Sequence, residues 1–241
     1  MAITVTVKGT ANDNTAGLTL AMSPSANCTA GATMVLWIAL DNSGFNGAAT
    51  SCTVADTKSN TWTSRIVGTQ DPGAANAGIT LRCFTTVQNG GALTTGDTIT
   101  ATLGDNSKGC MALEELVGAG TISYLNGATV AGSTGTPTIT SDVLAAGNAI
   151  LGAGAYEDTE FPGGYDGDTT NGTWSAGQGN STGGASPDDT GVYIECQSKV
   201  VTGAGAQTYN PTNTGFDNVI GWVAFSEAIS LRSRSMTGVG I

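Results

Sequence analysis

The tightest constraint on how this chain folds is a two-residue hydrophobic period that recurs along its length. Val192, Ile194, Cys196, Ser198 and Val200 fall on one face of an extended segment, with Tyr193, Glu195, Gln197 and Lys199 on the other. Ile79, Leu81, Cys83 and Val87 alternate in the same way with Thr80, Arg82 and Thr86, and Ile99, Ala101 and Leu103 with Thr98, Thr100 and Thr102. Successive side chains of a strand point to opposite faces, so this pattern marks strands. Met34–Leu40 and Val219–Phe225 are apolar on both faces and read as central strands, with Trp37, Trp222, Val223 and Phe225 inside. Further strands are predicted over 3–8, 17–22, 51–55, 61–67, 110–117, 121–125 and 148–156. Asn46-Gly47, Asn89-Gly90-Gly91, Asn126-Gly127 and Asn171-Gly172 give turn signals. Roughly a dozen short strands at this spacing predict an all-β, two-sheet antiparallel sandwich, jelly-roll-like, spanning residues 1–228 as one domain.

Composition supports this class and removes several functions. Charged residues are 11% of 241, against a usual share of about 25%. The 36 glycines suit a chain with many tight turns. The net charge of −11 repels a phosphate backbone and an anionic bilayer, so neither nucleic acid nor membrane is an expected partner. The start, Met1-Ala2-Ile3-Thr4-Val5, alternates like a strand and does not read as a signal peptide, so folding in the cytoplasm is expected. The five cysteines, Cys28, Cys52, Cys83, Cys110 and Cys196, are odd in number and widely spaced, and five free thiols are expected.

The sequence holds no histidine, which excludes a Ser-His-Asp triad, a Cys-His pair and His-ligated metals. Paired carboxylates remain to be considered. Glu114 and Glu115 are adjacent on a predicted strand, point to opposite faces and cannot form one acid/base pair. One of them faces an apolar layer and needs a partner there, such as Arg82 or a backbone amide. No enzymatic activity and no cofactor are expected.

Two segments break the strand pattern. Residues 157–191 form a long loop rich in Gly, Asp and Asn. Asp166-Gly167-Asp168 can supply oxygens to Ca²⁺, although the twelve-residue EF-hand pattern is missing and a solvated acidic loop is the plainer reading. Tyr165 and Trp174 in the same loop read as a sugar platform, as a contact with another subunit, or as packing onto their own domain. Residues 229–241 form a C-terminal arm. Leu231, Met236, Val239 and Ile241 have no evident place in the sandwich, and Arg232 and Arg234 are its only charges. Leu231, Arg232, Arg234 and Met236 are therefore candidate interaction residues.

Asp56-Thr57-Lys58-Ser59-Asn60-Thr61-Trp62-Thr63 resembles a motif of Asp, small residue, any residue, Gly, Asn, Thr, aromatic, Thr. That motif occurs in β-sandwich domains of phage virion proteins and of bacterial surface repeat proteins. The flanking order is similar over roughly residues 30–227: Met34–Leu40, Ile79–Val87, Asp97–Leu103, the Glu-bearing Ala112-Leu113-Glu114, Asn148–Gly154, and the Trp strand Gly221–Phe225. Ser59 replaces the usual Gly, and Glu115 stands where an aromatic is common. In this turn Asp56 is expected to cap, Asn60 to take a positive φ, and Trp62 to pack. The resemblance implies a non-enzymatic structural or adhesive module. With no export signal expected, it points to a virion structural protein, a capsid decoration or minor capsid protein working as a homo-oligomer against other virion proteins. The alternative is a carbohydrate- or receptor-binding module of a phage tail or fibre, which would add a host-surface glycan as partner.

Overall fold

The computed structural model describes residues 3–42, 51–71, 78–132, 136–158, 163–183, 191–212 and 217–228. The strands in chain order are β1 (Thr4–Met22), β2 (Thr33–Asp41), β3 (Cys52–Asp56), β4 (Thr63–Gln70), β5 (Ile79–Val87), β6 (Ile99–Val117), β7 (Thr121–Gly132), β8 (Ile139–Thr140), β9 (Ala149–Tyr156), β10 (Gln178–Ser181), β11 (Tyr193–Val200), β12 (Thr208–Tyr209) and β13 (Asn218–Ala228). No described residue is helical. The first sheet has the order β1-β6-β2-β5-β4, with β3 also paired to β6. The second has the order β10-β11-β9-β13-β7, and β12 and β8 form a small pair. The chain is an antiparallel β-sandwich, as its alternation predicts.

The two central strands owe their double-sided apolarity to two different covers. Between the sheets, Val35, Trp37 and Ala39 of β2 meet Leu151 and Ala153 of β9 and Val223 and Phe225 of β13 in one buried cluster. On the outer face of the first sheet, Met34, Leu36, Ile38 and Leu40 lie under Leu20, Met22, Ile99, Ala101 and Leu103. Those covering residues come from the far halves of β1 and β6. The two 19-residue strands are continuous where four short strands, 3–8, 17–22, 97–103 and 110–117, were expected. Their register shifts between Asp13 and Gly17 and again between Gly17 and Thr19. Irregularities of this kind bend a ladder, and past them β1 and β6 pair Thr19–Met22 with Ile99–Thr102, while β3 joins the other edge of β6. On the outer face of the second sheet, Ile150, Ile220, Trp222 and Ala224 pack under Ile139, Leu144, Trp174, Val201 and Tyr209 from the connecting segments. Trp37, Trp222, Val223 and Phe225 are all buried, as expected.

Two details differ from the sequence reading. Asn126-Gly127 is no turn but part of β7, opposite a register shift at Ala224/Phe225 in β13. A Cβ on Gly127 would lie 2.6 Å from the Trp222 carbonyl oxygen and 3.0 Å from Ile66 Cγ2, so here the glycine permits close packing of β4 against the second sheet. The loop over 157–191 is also interrupted by β10, which pairs with β11. Asn171-Gly172 does form a turn, with φ of 55° and 124°. Asn46-Gly47 and the arm 229–241, including Leu231, Arg232, Arg234 and Met236, lie outside the described residues.

The connection from β6 to β7, residues 118–120, defines one end of the sandwich. At that end Thr4 pairs with Val117, and Ala228 pairs with Thr121. The strand ends at Asp41, Gln70, Gly132, Tyr156, Tyr193 and Asn218 lie at the opposite end.

All five cysteines are free thiols, and only Cys52 is more than marginally accessible. Burial raises the thiol pKa of Cys28 and of Cys52 to about 11 and that of Cys110 to about 12. A thiol held in its neutral form reacts slowly. Alkylation of the folded protein without reductant should therefore modify Cys52 first and leave the other four. After unfolding, intact mass should show five modified thiols. Three or fewer would mean that a disulfide is present.

Candidate functional site

The motif turn is built around one carboxylate. Asp56 Oδ1 accepts hydrogen bonds from the backbone amides of Lys58 and Asn60, at 2.8 and 3.2 Å, and from Asn60 Nδ2 at 3.3 Å. Its Oδ2 accepts from Trp62 Nε1 at 2.7 Å, which seats the half-buried indole against the outer cluster of the first sheet. Asn60 then bridges outward, its Nδ2 donating to the Gly91 carbonyl and its Oδ1 accepting from the Gly90 amide. Asp56 caps and Trp62 packs, as expected. The positive φ falls on Ser59, at 60°, and not on Asn60. Ser59 is the position at which the resembled motif carries glycine, the residue that takes this conformation without a Cβ clash. Asp56→Ala removes four acceptor contacts and should cost about 2–3 kcal/mol in a denaturant titration. Ser59→Gly should raise stability by about 1 kcal/mol, because it relieves the left-handed backbone.

The two adjacent glutamates sit on opposite faces, and both are buried. Glu114 faces the inter-sheet core and accepts from Trp37 Nε1 at 3.0 Å. Burial raises its pKa to about 8, partly offset by that hydrogen bond. Glu115 faces the other way, pairs with Lys8 at 2.9 Å and accepts from the Thr29 amide. The partners are thus an indole, an ammonium and a backbone amide. Each carboxylate anchors its own layer, and the two do not share a cavity.

The segment 163–183 covers the outer face of β11, the polar face on which the alternation placed Glu195, Gln197 and Lys199. All three are buried. Glu195 Oε1 accepts from the hydroxyls of Tyr209 and Tyr156. Burial lifts its pKa to about 8 despite those bonds, and the nearby Asp166 adds to the rise. Gln197 Oε1 accepts from the Asp166 amide at 2.7 Å, and its Nε2 donates to the carbonyls of Asp166 and Ser175. Lys199 Nζ lies 3.2 Å from Asp168 Oδ2 and 5.6 Å from the ring centre of Trp174.

This layer decides what the candidate residues of the loop do. Asp166 is buried, and its two oxygens accept from the amides of Asp168 and Asn210. Asp168 accepts from the Thr170 amide and from Lys199. Both carboxylates tie the loop to the sheet, and among the described residues no group of three acidic or cysteine side chains is placed to hold a metal. Trp174 is buried, 4.9 Å from the ring of Tyr209, and donates to the Thr208 carbonyl. It is neither a sugar platform nor an exposed contact, because the loop packs onto its own domain. Tyr165 remains exposed.

A groove lies at the sandwich end marked by residues 118–120. Its larger part, about 310 Å³, is lined by residues 29–33, Val87, Leu116, Val117, Gly118, Gly120, Thr121 and Ile122. It continues into a smaller part of about 160 Å³ between Thr63, Arg65, Thr85, Tyr124 and Phe225. Arg65 lies 4.3 Å above the Tyr124 ring and donates to the Thr85 hydroxyl. Five separated segments, 29–33, 61–65, 85–87, 116–124 and Phe225 of β13, meet here, and no local pattern announces the groove in the sequence. Compared with protein-family models, with curated proteins and with solved structures, the chain has no match.

Proposed function

We propose that this chain is a non-enzymatic structural protein of a phage particle, a capsid decoration or minor capsid protein. The observation that carries the reading is the Asp56 turn. A carboxylate gathers Lys58, Asn60 and Trp62, and a left-handed residue sits where the resembled virion domains place glycine. The use of acidic side chains supports it: Glu114, Glu115, Glu195, Asp166 and Asp168 each hydrogen-bond or ion-pair within the domain and hold its layers together. A rigid domain of this kind suits durable surface contact. In this reading the partners are further copies of the chain and other particle proteins, and the chain folds in the host cytoplasm before it joins the virion.

The test is to purify particles from a producing culture through a density gradient and quantify the chain by mass spectrometry. It should co-purify at a fixed ratio to the major capsid protein, and labelled antibody should decorate heads. Its absence from particles would sink the reading, and label on the fibres alone would transfer it to the tail. The second reading, a glycan-binding tail module, draws on the exposed Tyr165. Binding to a glycan array that Tyr165→Ala abolishes would favour it.

A further inference from the structure

We propose that strand β7 is a docking edge for a second copy of this chain, the two β7 edges pairing antiparallel about a two-fold axis at Thr129. This names a surface for contact between copies and does not rest on the particle reading.

A strand at the end of a sheet presents a row of backbone N–H and C=O groups that another strand can pair. β7 ends the second sheet with β13 as its neighbour, and among the described residues no further backbone hydrogen bond reaches 121–132. None of the twelve residues of β7 is buried, whereas all eight of β9, two strands inward, are.

The other edges carry features that keep strands from pairing. β3 and β10 are only five and four residues long. The register of β1 shifts three times along its ladder. The register of β4 shifts between Ser64 and Ile66, around Arg65. In β7 the shift falls at Leu125, and past it Asn126–Gly132 run unbroken against Asn218–Ala224. This is the longest unbroken edge among the described strands.

Charge selects the occupant. At a net charge of −11, a second copy is repelled wherever acidic surfaces meet. β7 holds no charged residue and no proline, so pairing it with itself sets no like charges opposite each other. An antiparallel pair centred on Thr129 matches the unbroken run to itself, with Asn126 opposite Gly132 and Gly127 opposite Ala131 of the second copy. Such a contact uses the same patch on both copies and closes at two. Beside the edge, Leu125 is 43% and Val143 75% exposed, and Asn126 donates to Asp142 and so holds the two apolar side chains in neighbouring segments. Exposed apolar surface next to an open edge gains free energy when a partner covers it.

The experiment is sedimentation velocity on the full-length protein from about 5 to about 500 μM, a range that resolves a reversible micromolar dimer. Hydrogen–deuterium exchange is measured at both ends of that range. Ala131→Asp and Leu125→Asp place charge on and beside the edge at exposed positions, and Leu18→Asp, at an exposed position of β1, is the control. Thermal melts identify any variant that fails to fold, and either edge variant alone suffices for the test. The parent should form a dimer, and amides 126–132 should gain protection as concentration rises. Each edge variant should weaken the dimer at least about tenfold, because like charges then face each other across the pair. Leu18→Asp should leave it unchanged. A parent that stays monomeric throughout would overturn the proposal. So would a dimer unmoved by a folded edge variant, or one weakened as much by Leu18→Asp. Association that grows past two copies would also overturn it, since the symmetric edge closes at a pair. None of these readouts involves particles, so the particle reading stands or falls separately.

Discussion

Replacing Trp37 by alanine should destabilise the domain by roughly 5–6 kcal/mol, enough to unfold it under ordinary conditions. Two costs combine. The ring is fully buried between the sheets, and emptying such a site costs about 3–5 kcal/mol. The indole N–H is also the donor to Glu114 in the same core, and a buried acceptor left without its partner costs a further 1–3 kcal/mol or so. Trp222→Ala provides the comparison. That ring is equally buried, but its Nε1 has no hydrogen-bond partner among the described residues. Its loss should cost only the cavity, about 3 kcal/mol. Denaturant midpoints of the two variants, and of Trp37→Ala combined with Glu114→Leu, measure the difference. If the double variant is no more stable than Trp37→Ala alone, the orphaned carboxylate is not the source of the extra loss.

Stability should fall steadily as pH rises from 5 to 8, the reverse of the usual behaviour of salt-bridged carboxylates. Glu114 and Glu195 each have a pKa of about 8 in the folded chain against an ordinary 4.5, because burial disfavours their charged form. Between those values the native state holds protons that the unfolded chain has released, so the derivative of unfolding free energy with pH is negative. Each group contributes up to about 1.4 kcal/mol per pH unit in that window. Together they make pH 8 less stable than pH 5 by several kcal/mol. Asp97 acts oppositely at the acid end. The Thr94 and Thr57 hydroxyls, with the Thr94 amide and Lys58, hold it near 2 against an ordinary 3.8. Its contribution is complete above pH 3.8 and is lost as pH falls toward 2. Melting temperature should thus peak near pH 4–5, and Glu114→Gln should flatten the alkaline limb. A melting temperature that rises between pH 5 and 8 would show that these glutamates are ionised in the fold.

The sandwich was legible because period-two alternation is imposed locally, by whichever face of a strand is covered. The positions of Trp37 and Trp222 followed from it. What the alternation cannot report is the identity of the cover. The alternation put Glu195, Gln197 and Lys199 on one face of their strand without saying what lies over it, and the segment 163–183 covers them. Their burial depends on contacts such as Gln197 with Asp166, 31 residues away. The same long-range packing turned Trp174 from a candidate contact into core, and Asp166 and Asp168 from candidate calcium ligands into loop anchors. The bends that join 3–8 to 17–22 and 97–103 to 110–117 were hidden because a bulge interrupts alternation just as a turn does. In the motif, the left-handed position fell on Ser59 because the backbone path, not the residue's own preference, sets that angle.

The polarity of the sandwich has a practical consequence for labelling. Thr4 and Ala228 lie at the 118–120 end, whereas Asp41, Gln70, Gly132, Tyr156, Tyr193 and Asn218 lie at the other. A probe attached at Thr4 or Ala228 is therefore separated from one attached at Asp41 or Gln70 by about the length of a strand. A pair of probes so placed spans the long axis of the domain and should report on it as a ruler.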